Sequence, residues 1–243
     1  ARSMGFVSEP RTLSPSRYKW EDGKRTLEMN VVSQAFTLSS DSEILEIELS
    51  KGQAPTEREA EAFALNFLNQ LNLSNGTLKS ARKESHYLEI EKGNLKEAES
   101  ISEALLTRVD LFKVIAVDGK SYDVFGPSPY QGLTYLAISG ANTNRQYQRV
   151  AYARYQNWEI KTDEGSTYPL TISTEAWKEL ESGKGTLVYL KPQDAGIYQK
   201  PSPPKIEKIR IQKVSLAYYE SESAQPHLVP IYVFEGLADI KNS

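Results

Sequence analysis

Cysteine is absent from the 243-residue chain, and histidine occurs only twice, as His86 and His227. The lack of cysteine excludes disulfides, thiolate metal ligands and a cysteine nucleophile. Neither histidine has a second histidine or a paired acid at the spacing of a zinc site, so we expect no metal and no cofactor. Cysteine-free chains are common among exported bacterial proteins, where a stray thiol would be oxidised, although many cytosolic proteins also lack cysteine.

Long apolar runs and blocks of like charge are missing too. No stretch approaches the roughly 18 residues that a membrane-spanning helix needs. The charges nearly balance, with 29 Lys and Arg against 32 Asp and Glu, so we expect no nucleic-acid partner. Because the sequence begins at Ala1 and can describe a trimmed or processed product, a missing N-terminal signal is not evidence for the cytoplasm.

Motifs of catalysis are equally scarce. Ser139 precedes a glycine, but no G-x-S-x-G elbow surrounds it to expose a serine nucleophile. Gly183 and Gly185 lack the spacing of a phosphate-binding loop. Two carboxylates could form a glycosidase pair, yet nothing selects two of the 32 acids. The sequence therefore predicts a protein that is not an enzyme.

The clearest predicted element is a helix over residues 60–71, preceded by a capping box. Thr56 and Glu59 have the spacing of a capping box at its start. Apolar residues then recur at helical spacing and form one stripe: Ala60, Phe63, Ala64, Phe67, Leu68 and Leu71. Before this helix, alternation over residues 44–49 predicts a half-buried strand, and we interpret residues 1–43 as an extended segment that adds a strand or two.

The middle of the chain is interpreted mostly as strands. Asp118 and Gly119 predict a tight hairpin turn, because both can adopt positive φ. Residues 95–106 have partial helical spacing. Strands are predicted near residues 88–90, 111–117, 122–125, 133–138 and 146–155.

After residue 160 the order of strand, turn and capped helix recurs. Ser173 is the predicted cap of a short helix whose Ala176, Trp177 and Leu180 face the core, and Gly183 suits its end. The predicted fold class is α+β, with two PepSY-like units that each pack a helix on an antiparallel β-sheet. The predicted domains are an N-terminal extended segment (1–43), a first α+β unit (44–160) and a second unit with a closing β-hairpin (161–243).

The closing hairpin is predicted over residues 209–237. Ile209 and Ile211 share one parity while Val214 and its successors share the other, so a β-bulge is expected at Gln212 and Lys213. The return strand is apolar on both faces, which predicts burial from both sides, and Pro230 predicts an edge or a bulge. On this interpretation Tyr218, Tyr232 and Phe234 build a core, and the site of action lies elsewhere.

A cluster of aromatic residues is the candidate interaction surface, because Tyr and Trp offer rigid amphipathic contact area. Its members are Tyr130, Tyr135, Tyr147, Tyr152, Tyr155 and Trp158. The alternative is that these rings simply pack across neighbouring strands.

Residues 168–180 read YPLTISTEAWKEL, residues 214–219 read VSLAYY and residues 228–236 read LVPIYVFEG. The succession of a capped short helix, a strand ending in paired tyrosines and a return strand with P-x-Y-x-F resembles YycI-type and PepSY-like extracytoplasmic regulatory proteins, mainly over residues 168–237. The resemblance implies the outer part of a membrane-anchored bacterial protein, with no catalytic residues. It also implies a protein partner in the cell envelope, such as a sensor kinase or an envelope enzyme.

Three functions therefore stay open. The first is a non-catalytic extracytoplasmic regulatory or protein-interaction module, attached to the membrane only through an N-terminal anchor that precedes this sequence. The second is a cell-envelope hydrolase that acts on glycan or peptide. The third is a structural envelope protein.

Overall fold

The computed structural model describes residues 1–41, 52–141, 143, 145–161, 165, 169–190, 205–223 and 225–240. Among these residues, 43% lie in strands and 16% in helices. The chain divides into two compact units. The first unit includes the described residues within 1–113 and 131–159, and the second includes residues 114–130 together with the described residues from 160 onwards.

The first unit contains a nine-stranded sheet in which all neighbouring strands pair antiparallel. Its strands are β1 (Arg11–Ser14), β2 (Arg17–Asp22), β3 (Arg25–Asn30), β4 (Phe36–Ser40), β5 (Arg82–Glu91), β6 (Asn94–Glu97), β7 (Leu106–Phe112), β10 (Thr134–Ser139) and β11 (Val150–Tyr155). Their order is β1-β2-β3-β4-β11-β10-β7-β5-β6. The N-terminal segment thus supplies four strands, whereas the sequence predicted one or two.

One face of this sheet carries the main hydrophobic core, with helix α1 (Glu57–Gln70) packed against it. The predicted capping box is confirmed, since the Glu59 N–H donates to Thr56 Oγ1 at 3.4 Å and the Thr56 N–H donates to Glu59 Oε2 at 2.9 Å. A short helix α2 (Gly76–Lys79) follows, and two 3-10 helices span Arg2–Met4 and Gln146–Arg149. A second, smaller cluster of buried apolar residues is formed by Leu88, Leu106, Ala137 and Ala151.

A buried ion pair lies on the opposite face of β7. Arg108 and Asp110 sit two residues apart on the strand, so their side chains point to the same side. Arg108 Nε and Nη2 each donate to one carboxylate oxygen of Asp110 at 2.6 Å, and the Gly132 N–H donates to Oδ1 at 2.7 Å. The Tyr135 ring stacks on the guanidinium at 3.7 Å. This charge-assisted cluster satisfies groups that would be costly to bury alone.

The second unit contains a four-stranded sheet and one helix among its described residues. The strands are β8 (Val114–Val117), β9 (Lys120–Phe125), β12 (Ile206–Tyr219) and β13 (Val229–Ile240), in the order β13-β12-β9-β8. Asp118 and Gly119, with φ of 50° and 75°, form the predicted turn between β8 and β9. β12 pairs parallel to β9 only at Tyr218 and Tyr219, so most of the β12–β13 pair extends beyond β9.

The predicted fold class of two helix-on-sheet units is wrong. The described residues are mostly β-sheet, and helix α3 (Ser173–Glu181) has no buried residue, so no helix is packed into the second sheet as α1 is packed into the first. Ala176, Trp177 and Leu180 are therefore not core residues. α3 begins after Ile172 without a side-chain cap, so the role predicted for Ser173 is also wrong.

Residues 95–106 form no helix, although their apolar residues have partial helical spacing. Lys92 and Gly93 adopt positive φ and form a two-residue turn that returns the chain into β6, where Leu95 pairs with Ile90. Leu106 then opens β7. The strand predicted over residues 44–49 and most of the proline-rich segment 200–205 lie outside the described residues.

Candidate functional site

The candidate site is the β12–β13 hairpin of the second unit, which we call the ribbon. Its strands pair antiparallel from Ile206 opposite Ile240 to Tyr219 opposite Val229. The predicted hairpin and the predicted edge position of Pro230 are confirmed, because β13 is the outermost strand of the described sheet. A bulge occurs where predicted, between Ile211 and Lys213, and a second irregularity lies between Ile206 and Lys208.

These two irregularities keep apolar side chains on one face of the ribbon. Each inserts one residue into β12 and so resets the alternation of the side chains. Residues of β12 that pair with even-numbered residues of β13 therefore share one face. We call it the apolar face; it consists of Ile206, Ile209, Ile211, Val214, Leu216 and Tyr218 on β12 and Pro230, Tyr232, Phe234, Gly236, Ala238 and Ile240 on β13.

The apolar face is half-buried near β9 and open at the far end. At the near end, Tyr218 pairs with the buried Val124 of β9, and its ring meets Tyr122 edge-on at 5.7 Å. In the middle, the Trp177 ring of α3 lies 6.1 Å from that of Phe234. Beyond these contacts, Ile209 is 51% exposed and Ile240 is 42% exposed.

The predicted two-sided burial of the return strand and the predicted core role of Tyr218, Tyr232 and Phe234 are therefore wrong. These three residues are half-buried, and no residue of β13 is buried. The hydroxyl of Tyr232 donates to the Thr171 carbonyl at 2.9 Å, so the segment leading into α3 contacts the ribbon without enclosing it.

The other face of the ribbon carries charges. Arg210 Nη2 lies 2.8 Å from Asp239 Oδ1, and Lys213 Nζ lies 2.8 Å from Glu235 Oε1. All four side chains are exposed, so each ion pair contributes little to stability. In both pairs the basic residue lies on β12 and the acidic residue on β13. The far half of the ribbon is thus amphipathic.

The backbones of the two strands approach closely at the central bulge. A Cβ atom on Gly236 would lie 2.1 Å from the carbonyl oxygen of Arg210, so only glycine fits there. Gly236 therefore allows the close approach of β13 to β12 beside the central bulge.

The six predicted aromatic site residues divide between the two units. Tyr130 belongs to the second unit, where its exposed ring lies 4.2 Å from that of Tyr189. The other five belong to the first unit. Tyr155 lies in the main core, stacked on Phe36 at 5.5 Å, with its hydroxyl donating to the Leu73 carbonyl at 3.1 Å. Burial raises the pKa of Tyr155.

The remaining four aromatic residues have separate environments. Tyr135 stacks on Arg108, and Tyr152 packs beside a small cluster around Leu88, where burial raises its pKa. Tyr147 lies under the Arg25 guanidinium, 5.5 Å from the ring centre. The half-buried Trp158 follows β11, and its indole N–H has no hydrogen-bond partner among the described residues. An interaction role for these residues stays a prediction.

The spacing of the apolar residues on β12 indicates the apolar face, although simple alternation of side chains along one strand does not reveal it. Ile206, Ile209, Ile211 and Val214 are spaced by three, two and three residues, which is the pattern of a strand interrupted by two bulges. Only the second interruption was predicted. Without the first, Ile206 is assigned to the polar face, and the extent of the apolar face cannot be seen.

Comparison with known proteins found no matching family model, no matching curated protein and no matching solved structure. The resemblance to YycI-type and PepSY-like proteins therefore stays a prediction. Within the described residues, no helix is long and apolar enough to cross a membrane, and no three His, Cys, Asp or Glu side chains group as metal ligands would.

Proposed function

We propose that this protein is a regulatory binding module that contacts a protein partner through the apolar face of the ribbon and the neighbouring helix α3. The observation that carries the proposal is the uneven distribution of exposed apolar side chains. Among the described residues, the first unit exposes four large ones, Val7, Leu13, Val31 and Val32. The second unit, which is smaller, exposes eleven.

Covering these side chains would release free energy. Complete burial of one Val, Leu or Ile side chain contributes about 1.5–3 kcal/mol, and contiguous exposed apolar surface marks interaction sites in soluble proteins. Leu170, Ile172 and Trp177, which lie in α3 or just before it, are also exposed. Because the Trp177 ring contacts that of Phe234, Trp177 adjoins the apolar face and enlarges it.

The cellular setting belongs to the same proposal. The resemblance over residues 168–237 supports an extracytoplasmic module, anchored in the membrane outside this sequence, whose partner is a sensor kinase or an enzyme of the cell envelope. The absence of cysteine agrees with that setting. A hydrolase and a structural envelope protein stay alternatives, but neither has a specific observation of the fold in its favour.

A photo-activated cross-linker at Ile240, which lies on the apolar face and is 42% exposed, tests the proposal in intact cells. We expect one discrete protein adduct, which is lost when Ile209 and Val214 are both replaced by serine. The matched control replaces Val31 and Val32, which are 49% and 82% exposed in the first unit, by serine and leaves the adduct unchanged. Equal adducts in both variants would show that the apolar face does not bind the partner.

A further inference from the structure

We propose that the outer edge of β13 accepts an extended segment of the partner as a fifth strand, and that this segment alternates large apolar residues with lysine or arginine. The inference rests on the proposed function, since it assigns the mode and the chemistry of binding to the ribbon. Strand addition of this kind draws affinity from main-chain hydrogen bonds and specificity from alternate side chains.

The length of β13 distinguishes it from the other edges. The remaining edge strands of the two described sheets, β1, β6 and β8, are four residues long. Short edge strands are a common protection against pairing with other chains. β13 has twelve residues and is outermost in the described sheet. Pro230 lacks an N–H and protects one end of it, so the stretch open to pairing is Ile231 to Ile240.

The charges on β13 define what a neighbouring strand must carry. Glu235 and Asp239 lie on the charged face, and each carboxylate has an exposed side. On the inner side they are matched by Lys213 and Arg210 of β12. A strand added on the outer side meets the same two carboxylates at cross-strand distance, so basic residues on that face are favoured and acidic ones are disfavoured.

The small side chains on the apolar face define the rest of the pattern. Gly236 and Ala238 lie between Phe234 and Ile240, so β13 carries no large side chain on the apolar face at these two positions. A large apolar side chain on the adjacent strand would cover these positions, as aromatic and β-branched residues do beside edge glycines. The partner segment is therefore apolar and bulky on one face and basic on the other.

A second copy of this chain does not meet this requirement. Two β13 strands that pair antiparallel with their apolar faces aligned place residues of equal parity opposite each other. A pairing centred on Leu237 sets Glu235 opposite Asp239 of the other copy, twice. If the two strands are shifted by two residues from this register, carboxylates of the two copies still lie diagonally across from one another. Like charges in such positions destabilise a sheet, so the charges favour a different protein.

Synthetic peptides test the proposal directly. A fluorescent ten-residue peptide that alternates valine and lysine should bind the protein, and one that alternates valine and glutamate should bind roughly tenfold more weakly or not at all. Two further valine–lysine peptides carry N-methyl groups on the odd or on the even amides. In an added strand only one of these sets faces β13, so one methylated peptide should lose binding and the other should keep it.

Charge-neutral variants of the protein add a second measurement. Glu235→Gln and Asp239→Asn should each weaken the binding of the valine–lysine peptide about two- to fivefold. A decrease of this size corresponds to the loss of one cross-strand charge pair. The matched control is Glu28→Gln, which removes the exposed ion pair with Arg17 in the first unit and should leave binding unchanged. Circular dichroism of each variant checks that the sheet is intact.

Equal binding of both methylated peptides would overturn strand addition. Equal binding of the acidic peptide, or self-association of the chain through β13 in analytical ultracentrifugation, would overturn the basic partner segment as the added strand. The proposed function can fail separately. If the Ile240 adduct forms and depends on Ile209 and Val214 while the valine–lysine peptide does not bind, the apolar face binds a partner without strand addition. If both experiments fail, the ribbon is not a binding surface.

Discussion

The buried charged pair on β7 is the most demanding feature at the scale of single residues. Arg108 is 2% exposed and Asp110 is completely buried. Such a pair stabilises a fold only if every donor and acceptor is satisfied, and here the bidentate contact, the Gly132 N–H and the Tyr135 ring share that task. Tyr135, chosen from the sequence as an interaction residue, therefore also has a structural contact.

We expect Asp110→Ala to lower the free energy of unfolding by about 3–5 kcal/mol, because the buried guanidinium of Arg108 loses the carboxylate that neutralises it. Urea unfolding followed by tyrosine and tryptophan fluorescence measures the change. Asp239→Ala is the control, since it breaks an exposed pair with Arg210 and should cost less than about 1 kcal/mol. A similar decrease in the free energy of unfolding in both variants would mean that the buried pair contributes no more to stability than the exposed one.

Single elements show how much local pattern reveals. α1, its capping box, the turn at Asp118 and Gly119 and the bulge near Gln212 were all predicted correctly, because each depends on residues close together in the sequence. α3 was also found, but its burial was not. An apolar stripe such as Ala176, Trp177 and Leu180 indicates which side of a helix can be covered, and it contains no information about whether anything covers it.

The capping box gives a prediction at this scale. Thr56→Ala removes the acceptor of the Glu59 N–H and should destabilise the protein by about 1 kcal/mol, whereas Thr56→Ser should retain most of the stability. The hydrogen bond with the Thr56 side chain, followed by that with its backbone, lowers the pKa of Glu59. The pKa of Glu59 is lower in the folded than in the unfolded protein. The ionised carboxylate therefore contributes fully to stability above the unfolded pKa, and this contribution is lost as the pH falls through the folded pKa.

Thermal unfolding of the native protein and of Glu59→Gln between neutral and strongly acidic pH checks that sign. The stability difference should be present at pH 7 and should shrink towards zero in the acid range. A difference that grows on acidification would contradict the assignment of the carboxylate as the capping group.

At the scale of the whole molecule, the sheet order was beyond the reach of the sequence. Leu38 of β4 pairs with Ala153 of β11, and Phe36 stacks on Tyr155, so strands from distant parts of the chain meet in the middle of the sheet. Periodicity assigns a strand to one face but does not name its neighbour. For the same reason the six aromatic residues looked like one cluster in the sequence and lie in separate environments in the fold.

The two units should also differ in local stability. Among the described residues of the second unit, the buried apolar side chains are Ile115, Val124 and Ala217, whereas all seven residues of β7 in the first unit are buried. We expect amides of β7 to exchange with solvent deuterium slowest and amides in the far half of the ribbon to exchange much faster. Mass spectrometry of deuterium uptake measures both, and equal protection would contradict the open ribbon.

The pairing of β4 with β11 also affects how this protein is made. Ser40 in β4 donates to the carbonyl of Ala151, which is 111 residues later in the chain. At ordinary rates of synthesis this distance corresponds to a delay on the order of 5–20 s, during which β4 has emerged and its partner strand does not yet exist. For that interval the nascent chain presents an unpaired strand edge with Phe36 and Leu38 uncovered, so a chaperone that holds the first forty residues extended would raise the yield of folded protein.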